Sequence, residues 1–435
     1  MRGLVAAGLL LTACGGDSPP LAEAGTVSSS APAAASIDAV AAHFVKLTLA
    51  VGKHDPNFVD AYHGPAEWAD AAAAEERSLS DLEADAIALS DLLGEAASGD
   101  ARSVMLGAQI EAALTRIRMA QGARFTFDQE TRLLYDAEAP NYDIAEFDRA
   151  LARIEALVPG EGQLAERVDA FRNSVAIPED RLRTVFDAAI AECRRRTADR
   201  IALPEGETFE LEFVSDKPWS AYNWYQGDFR SRIQVNTDLP IFIDRAIELG
   251  CHEGYPGHHV WHSLIDRDLL KGEGWIEYAV YPLFSPMSLI SEGSANYGVD
   301  LAFPEDEKLA FERDVLFPLA GLDPASAGRF AALNEELRTL SHADNHAARE
   351  YLEGRMNREA AIDFLMRYKL TSRERAEQRV RFIETYRGYV INYNLGRDLV
   401  AAHIEASAHS PAERWDAFAA LLSSPVSASR LQPSP

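Results

Sequence analysis

The sequence predicts a mainly α-helical protein with a small antiparallel β-sheet. Apolar residues recur at steps of three and four through most of the chain after residue 36, which is the pattern of helices that bury one face. One stretch, 209–213, carries the two-residue alternation typical of strands, and residues 231–236 could pair with it as a second short strand. The chain has 435 residues and is 47% hydrophobic, so it can bury a large core. We therefore expect one helix-rich unit, residues 37–422, with a short sheet inserted.

Residues 1–14 have the features of a bacterial lipoprotein signal. Arg2 supplies positive charge, residues 4–11 form an apolar run too short for a membrane helix, and Leu-Thr-Ala-Cys at 11–14 is typical of a lipobox. Cys14 is the predicted lipidation site, although an ordinary secretory signal with an incidental cysteine is the alternative. Residues 15–36, rich in Gly, Ser, Pro and Ala, predict a flexible tether. The protein is therefore expected to be exported and held by lipid at the cell envelope, at the outer membrane on its periplasmic or exterior face.

The helical segments have recognisable starts and stops. Ser36 is the predicted N-cap of the first helix, and similar periodicity predicts helices around 106–117 and 147–154. Residues 209–213 and 231–236 are predicted to pair as strands, after which the chain returns to helices from Pro240. Residues 423–435 are predicted to form a disordered tail.

Charge and cysteine content narrow the possible partners. A formal net charge of −26 disfavours nucleic acid and anionic membrane surfaces, so membrane contact is expected only through the N-terminal lipid. Cys193 and Cys251 lie far apart in sequence and give no indication of a disulfide. Cys251 is interpreted as a small buried residue, because its side chain points about 100° away from that of His252 on a helix.

The most informative segment is 252–259, His-Glu-Gly-Tyr-Pro-Gly-His-His. Two imidazoles that hold a metal, with a glutamate between them that activates water, are the chemistry of zinc hydrolases. The usual spacing places the second histidine where Pro256 stands, so we expect a bulge or kink at Pro256-Gly257. A two-residue bulge would bring His258 beside His252, whereas a three-residue bulge would bring His259. The remaining histidine would contact substrate or fix a ring by hydrogen bonding, and Glu253 would be the general base.

A third ligand is expected from a second helix. Glu292 lies on a predicted helix, 288–302, and can supply a carboxylate oxygen; Asn296, one turn later, could orient a ligand histidine. The predicted Zn²⁺ ligands are His252, Glu292 and one of the two adjacent histidines, with His258 preferred over His259.

Aromatic residues near the C-terminus offer candidates for transition-state stabilisation. Tyr389, Tyr393 and Arg387 are predicted to lie on one helix and to stabilise an oxyanion. His342 and His346 have metal-ligand spacing but no third ligand nearby, and a structural role is favoured. Aromatic residues near the sheet are expected either to line a groove or to be exposed on a strand: Tyr222, Trp224 and Tyr225.

The stretch 232–262 resembles the bacterial family known as domain of unknown function 885. Its hallmark is His-Glu-x-x-Pro-Gly-His-His after an Asn-Thr pair, here Asn236-Thr237, and its later Glu-Gly pair matches Glu292-Gly293. Segments 55–68 and 386–393 resemble further signatures, so the likeness spans most of 40–400. It implies a helical metallopeptidase-like fold similar to the carboxypeptidase Taq and thimet oligopeptidase groups, in which a Gly-His pair ends the zinc motif; this favours His258. The usual Glu-Gly-Trp-Ala is Glu-Gly-Ser-Ala here, which alters the wall near that carboxylate.

These observations predict a lipid-anchored zinc metallohydrolase that cleaves short peptides. By analogy with the similar groups, a helix-lined channel would favour small peptide substrates, and the strand 233–235 is expected to pair with an extended peptide. Two alternatives remain open: a non-catalytic binding or structural envelope lipoprotein on the same fold, and a zinc amidase that acts on cell-wall peptides.

Overall fold

The computed structural model describes residues 36–96, 98–217 and 219–431. The predicted signal, Cys14 and residues 15–35 of the tether lie outside these ranges, as do the last four residues of the predicted tail. Contacts group the described residues into one unit. Among them, no helix combines the length and apolar character needed to cross a bilayer.

Helices dominate the described residues, which confirms the predicted mainly α fold. The first helix begins where expected, because the Ser36 hydroxyl accepts a hydrogen bond from the Ala39 amide. The helices are α1 (Ile37–Gly52), α2 (Ala66–Ala74), α3 (Leu79–Ala96), α4 (Ala101–Ala120), α5 (Phe127–Tyr135), α6 (Ile144–Leu157), α7 (Leu164–Asn173), α8 (Leu182–Ala198), α9 (Asp244–Leu249), α10 (His258–Leu264), α11 (Pro286–Ala302), α12 (Glu305–Phe311), α13 (Phe317–Ala320), α14 (Ala327–Thr339), α15 (Ala343–Leu352), α16 (Arg358–Tyr368), α17 (Arg373–Tyr386), α18 (Ile391–Ser407), α19 (Pro411–Leu422) and α20 (Ala428–Leu431).

Short helical turns of other types join several of these helices. The predicted C-terminal aromatic helix is in fact divided, because Arg387 has a φ of 51° and starts a 3₁₀ turn between α17 and α18. The π-helical turns are Gly250–Gly254, Ile265–Gly272 and Glu312–Leu316, and the 3₁₀ turns are Glu179–Arg181, Ile276–Ala279, Pro324–Ser326, Leu340–His342 and Arg387–Val390.

Two small sheets accompany the helices. The strands are β1 (Val59–Tyr62), β2 (Thr208–Val214), β3 (Ala221–Tyr225), β4 (Arg230–Asn236) and β5 (Val280–Pro282). β1 pairs antiparallel with β5, and the other sheet has the order β2-β4-β3. The segments 209–213 and 231–236 do pair, but in parallel, so the predicted antiparallel direction is wrong. The intervening aromatic segment is itself a strand, β3, and takes the antiparallel position beside β4.

The packing of α11 against α18 requires glycine on both helices. A Cβ added to Gly293 would lie 2.4 Å from the carbonyl carbon of Gly396, and one added to Gly396 would lie 2.8 Å from the Leu289 carbonyl oxygen. The two backbones are therefore in direct contact. This close approach brings Glu292, on α11, next to the tyrosines that precede and begin α18.

A disulfide joins Cys193 of α8 to Cys251, with the Cα atoms 5.5 Å apart. This bond was not predicted, because 58 residues separate the two cysteines and only the packing of α8 against 244–254 brings them together. The disulfide anchors the backbone immediately before His252.

Order extends further toward the C-terminus than predicted. Residues 428–431 form α20, in which Ala428 and Leu431 are buried. The apolar Leu431 side chain packs into the main core, so the predicted disorder does not begin at residue 423.

Candidate metal centre

The helix that carries His252 ends instead of bulging. α9 continues as the π-helical turn 250–254, Tyr255 is extended, the Tyr255–Pro256 peptide bond is cis, and α10 begins at His258. The turn is tight, since a Cβ on Gly257 would lie 1.8 Å from the His252 carbonyl oxygen. The Gly257 amide donates to the Cys251 carbonyl over 2.9 Å. As a result, His252 and His258 lie side by side.

His252, His258 and Glu292 form a compact triangle of possible ligand atoms. The His252 Nε2 and His258 Nε2 atoms are 3.1 Å apart, and they lie 3.4 and 3.7 Å from Glu292 Oε2, respectively. Zinc with bonds of about 2.0–2.1 Å to tetrahedral ligands separates neighbouring donors by roughly 3.3–3.4 Å. The three predicted ligand residues thus have the mutual spacing of a zinc coordination shell.

The hydrogen bonds around the triangle leave the correct atoms available for a metal. The Tyr389 hydroxyl donates to Glu292 Oε1 over 3.0 Å, while Glu292 Oε2 is buried without a hydrogen-bond partner among the described residues. His258 Nδ1 lies 3.0 Å from Ser291 Oγ, which fixes the ring with Nε2 toward the triangle. A buried carboxylate oxygen without a partner is costly, and a divalent cation would satisfy it. Two imidazoles and one carboxylate suit Zn²⁺, so the residues fit this ion.

The charged residues of the triangle shift one another's pKa values. Burial lowers the pKa of His252, but the Glu292 carboxylate 3.4 Å away and the charge of Glu253 outweigh burial and raise the pKa to about 9. Burial raises the pKa of the Glu292 carboxyl, yet the two imidazoles outweigh it and hold that pKa well below its ordinary value. The triangle is therefore built to keep Glu292 ionised.

Glu253 lies beside the triangle. Its side chain is largely buried, with 6% of the residue exposed, and its charge acts on both His252 and Tyr393. The Asn223 side-chain amide donates to the Glu253 backbone carbonyl over 2.7 Å, which ties this residue to β3. Among the described residues its carboxylate has no hydrogen-bond donor, so it is available to a water molecule or substrate.

The three predicted C-terminal residues differ in their positions. Tyr389 contacts Glu292 directly, and the Tyr393 ring lies 5.7 Å from the Tyr389 ring. Burial raises the pKa of each of these tyrosines well above the ordinary value, and the charge of Glu292 raises it further. Both hydroxyls therefore keep their protons. Arg387 instead donates to the buried Glu130 over 2.7 Å, and the prediction that it faces the metal site is wrong. The left-handed backbone at Arg387 directs its guanidinium to α5.

His259 does not face a substrate. It is 0% exposed, with Nδ1 2.8 Å from Ser231 Oγ and Nε2 3.0 Å from Glu207 Oε2. The fully paired ring anchors α10 to the sheet and thereby positions His258. Choosing His258 over His259 for the triangle therefore agrees with the geometry.

Asn296 does not orient a ligand histidine, because its amide donates to the Tyr393 carbonyl over 3.0 Å. Ser291, five residues earlier on α11, contacts His258 instead. Of the pair with metal-like spacing, His342 bonds to Asp398 over 2.8 Å and His346 packs on Phe364, which agrees with a structural role.

Asp60 is a site residue that sequence reasoning missed. It is the extra residue of a β-bulge in β1, and the Tyr222 hydroxyl donates to its Oδ1. Burial raises the pKa of Asp60, while the Tyr222 hydrogen bond and the charge of His258 lower it. The charges of Asp60 and Glu292 also act on each other, so Asp60 lies within the electrostatic reach of the triangle. The only sequence signal was its place in the resemblance signature 55–68.

The aromatic residues of β3 were expected either to line a groove or to be exposed on a strand, and the three differ in their positions. Tyr222 turns toward Asp60 and lines the site, Trp224 is 37% exposed, and Tyr225 is buried with its hydroxyl 2.7 Å from Asp266. Only one of the three therefore borders the candidate metal centre.

Comparison with known proteins supports the fold alone. No protein-family model and no curated protein matches the chain, so membership of the family it resembles stays a prediction. A crystal structure of a candidate lipoprotein from Colwellia psychrerythraea is similar, with a TM-score of 0.54, 15% identity, and coverage of 81% of this chain and 68% of that chain. The structure of BsuCP has a TM-score of 0.48, 13% identity and coverage of 89% and 87%. A candidate lipoprotein of unknown function from Shewanella oneidensis has a TM-score of 0.41, 13% identity and coverage of 78% and 69%. The first likeness shows a shared fold, and the other two are too distant for inference.

Proposed function

We propose that this protein is a zinc-dependent hydrolase that cleaves peptide bonds of short peptides. The observation that supports this most directly is the triangle of His252, His258 and Glu292, whose spacing matches a zinc shell and whose Glu292 Oε2 is buried without a hydrogen-bond partner. Glu253 follows a ligand directly in sequence and has a carboxylate free of other donors. A ligand set with a carboxylate beside it is the arrangement that metal-assisted hydrolysis needs.

The chemistry divides between the ion and the protein. A zinc ion held by the triangle would supply Lewis acidity and lower the pKa of water. Glu253 takes the proton from the attacking water and returns it to the leaving amine. Tyr393, which keeps its proton, is the candidate donor to the developing oxyanion, whereas the proton of Tyr389 is donated to Glu292 Oε1 and holds that carboxylate in place.

The substrate is expected to approach the sheet along β3. β4 is flanked by β2 and β3, so the predicted pairing of residues 233–235 with an extended peptide is wrong. β3 is an edge strand and contacts the His-Glu segment through Asn223 and Glu253. An extended peptide added to this edge would pass next to the candidate metal centre.

We also propose that the protein is exported and anchored to the cell envelope through a lipid on Cys14. The sequence of residues 1–14 supports this, and so does the buried disulfide, since such bonds persist in oxidising compartments. The Colwellia protein of similar fold is described as a lipoprotein. No part of this proposal requires a membrane contact by the helical unit itself.

The direct test is Glu253→Gln in the zinc-loaded mature protein. We expect zinc content to stay at one ion per chain while peptide turnover falls by at least about 100-fold, because general base catalysis contributes roughly 10²–10⁴-fold. Glu210→Gln is the matched control, because it makes the same change at an exposed position of β2. Wild-type turnover in Glu253→Gln would show that the base is assigned wrongly.

The second candidate function is a non-catalytic binding or structural lipoprotein on the same fold. The likeness of fold to a candidate lipoprotein supports this alternative more directly than it supports the hydrolase, because that protein is described as a lipoprotein and not as an enzyme. The two are separated by measuring zinc content and turnover of a peptide library together. Zinc lost to a chelator along with hydrolysis favours the enzyme, and bound zinc without turnover of any peptide favours the binder. Turnover confined to cell-wall peptides would favour the amidase.

A further inference from the structure

The charges around the candidate metal centre are unusual for a site that would hold a peptide C-terminus. Two further carboxylates belong to this region: Glu253, which follows His252 in sequence, and Asp60, whose partner Tyr222 stands next to the Asn223 that holds the Glu253 backbone. A site that binds a terminal carboxylate needs a free cation. Two arginines have charges that interact with this region, Arg379 with Tyr393 and Arg245 with Glu253, and each is held by another carboxylate: Arg379 by Asp344 over 3.1 Å and Arg245 by Glu248.

Asp60 is placed for a role other than supporting the fold. Its neighbours Val59 and Ala61 pair with β5, whereas Asp60 itself is the unpaired residue of the bulge. Bulges re-aim side chains and are common next to active sites. The Tyr222 hydroxyl occupies Oδ1, and Oδ2 makes no hydrogen bond within the described residues. One oxygen is thus fixed, and the other is free to accept a hydrogen bond.

A second observation shows that this region is built for a ligand. Glu292 is 8% exposed, and its Oε2 points into the triangle without a hydrogen-bond partner among the described residues. Tyr222, the partner of Asp60, is followed by Asn223, which holds the backbone of Glu253. β3 therefore connects the Asp60 carboxylate to the segment that carries the candidate base and the first ligand.

We propose that Asp60, oriented by Tyr222, binds the α-ammonium group of the substrate, so that the enzyme removes residues from the N-terminus of peptides. The free oxygen of Asp60 accepts the ammonium, and the scissile carbonyl then lies at the triangle. The inference rests on the proposed hydrolase function and adds the substrate class, a peptide with an unmodified N-terminus. The shared chemistry is a primary ammonium, which a basic side chain could also supply.

Binding of hydroxamates tests the proposal without turnover. We would titrate the zinc-loaded protein calorimetrically with leucine hydroxamate, N-acetyl-leucine hydroxamate and N-acetyl-lysine hydroxamate. Leucine hydroxamate is expected to bind about 10- to 100-fold more tightly than both acetylated probes, because one charge-assisted hydrogen bond is at stake. Equal affinities of the two leucine probes, or no binding, would overturn the assignment. Tight binding of the lysine probe would overturn it in favour of a basic side chain.

Variants test whether Asp60 causes the difference in affinity between the two leucine probes. In Asp60→Asn the ratio of the two leucine probes should fall to near one, whereas Asp70→Asn, the same change at an exposed position of α2, should keep the wild-type ratio. Tyr222→Phe leaves the carboxylate in place and should reduce the ratio only in part; it provides a reading if Asp60→Asn does not fold. An unchanged ratio in Asp60→Asn would refute the role of Asp60.

The outcome is distinct from that of the peptidase test. Discrimination between free and acetylated probes without turnover of any peptide would contradict the hydrolase and leave the ammonium site standing. Turnover of N-acetylated and free peptides at equal rates would leave the hydrolase standing and contradict N-terminal recognition.

Discussion

The turn at Gly257 gives the sharpest test of how the two histidines are brought together. In Gly257→Ala the added methyl would lie 1.8 Å from the His252 carbonyl oxygen and 2.5 Å from the Cys251 carbonyl oxygen. Both atoms belong to the backbone, which the disulfide at Cys251 holds to α8, so the turn must open. Forced packing of this kind costs about 1–3 kcal/mol. The metal-free protein can relieve this strain by separating His252 from His258.

To bind zinc, the variant would have to bring the two histidines together again and so close the strained turn. The free energy of this strain is therefore lost from the free energy of zinc binding. A strain of about 1–3 kcal/mol corresponds to a zinc Kd raised about 5- to 150-fold. Competition with a chromophoric chelator measures this Kd, and circular dichroism checks the fold. Gly94→Ala is the control, because no heavy atom lies within 4 Å of the added Cβ on α3, and it should leave the Kd unchanged. A wild-type Kd in Gly257→Ala would refute the idea that this turn assembles the metal ligands.

Two further predictions concern stability. Cys193→Ala with Cys251→Ala opens a loop of 58 residues and should lower the free energy of unfolding by about 4 kcal/mol on the chain-entropy account, measured by urea unfolding against the wild-type protein. Burial raises the pKa of Glu312 to about 7 against the pull of Lys308, so the unfolded chain ionises first and stability should fall by about 3 kcal/mol as the pH rises from about 4.5 to 7. Glu312→Gln should flatten this fall in unfolding experiments at pH 5 and pH 8; an equal fall in the variant would show that another group causes it.

The helices were predictable because their signals are local. Ser36 caps α1 through a contact three residues away, and the predicted helix 288–302 corresponds to α11 to within two residues at its start. The sheet was only partly predictable. The alternation of 209–213 marked a strand, but strand direction depends on which segment occupies the space beside β4, and the aromatic segment 221–225 was not recognised as that strand.

Long-range contacts explain the errors at the site. Asp60 is separated from Tyr222 by 162 residues, Arg387 from Glu130 by 257, and Asn296 from Tyr393 by 97. No periodicity within one segment reports such pairs. The guanidinium of Arg387 could have stabilised an oxyanion, but it is paired with the buried carboxylate of Glu130 on α5.

The ligand triangle itself depends on close backbone contact more than on helical spacing. Gly257 stands directly before His258 and allows the chain to fold back against the carbonyl of His252. Gly293 stands directly after Glu292 and allows α11 to touch α18, which places Tyr389 on Glu292 Oε1. Each glycine thus fixes the position of the candidate ligand beside it, because any side chain there would collide with a facing backbone. A substitution at either glycine should therefore act on metal affinity before it acts on the global fold.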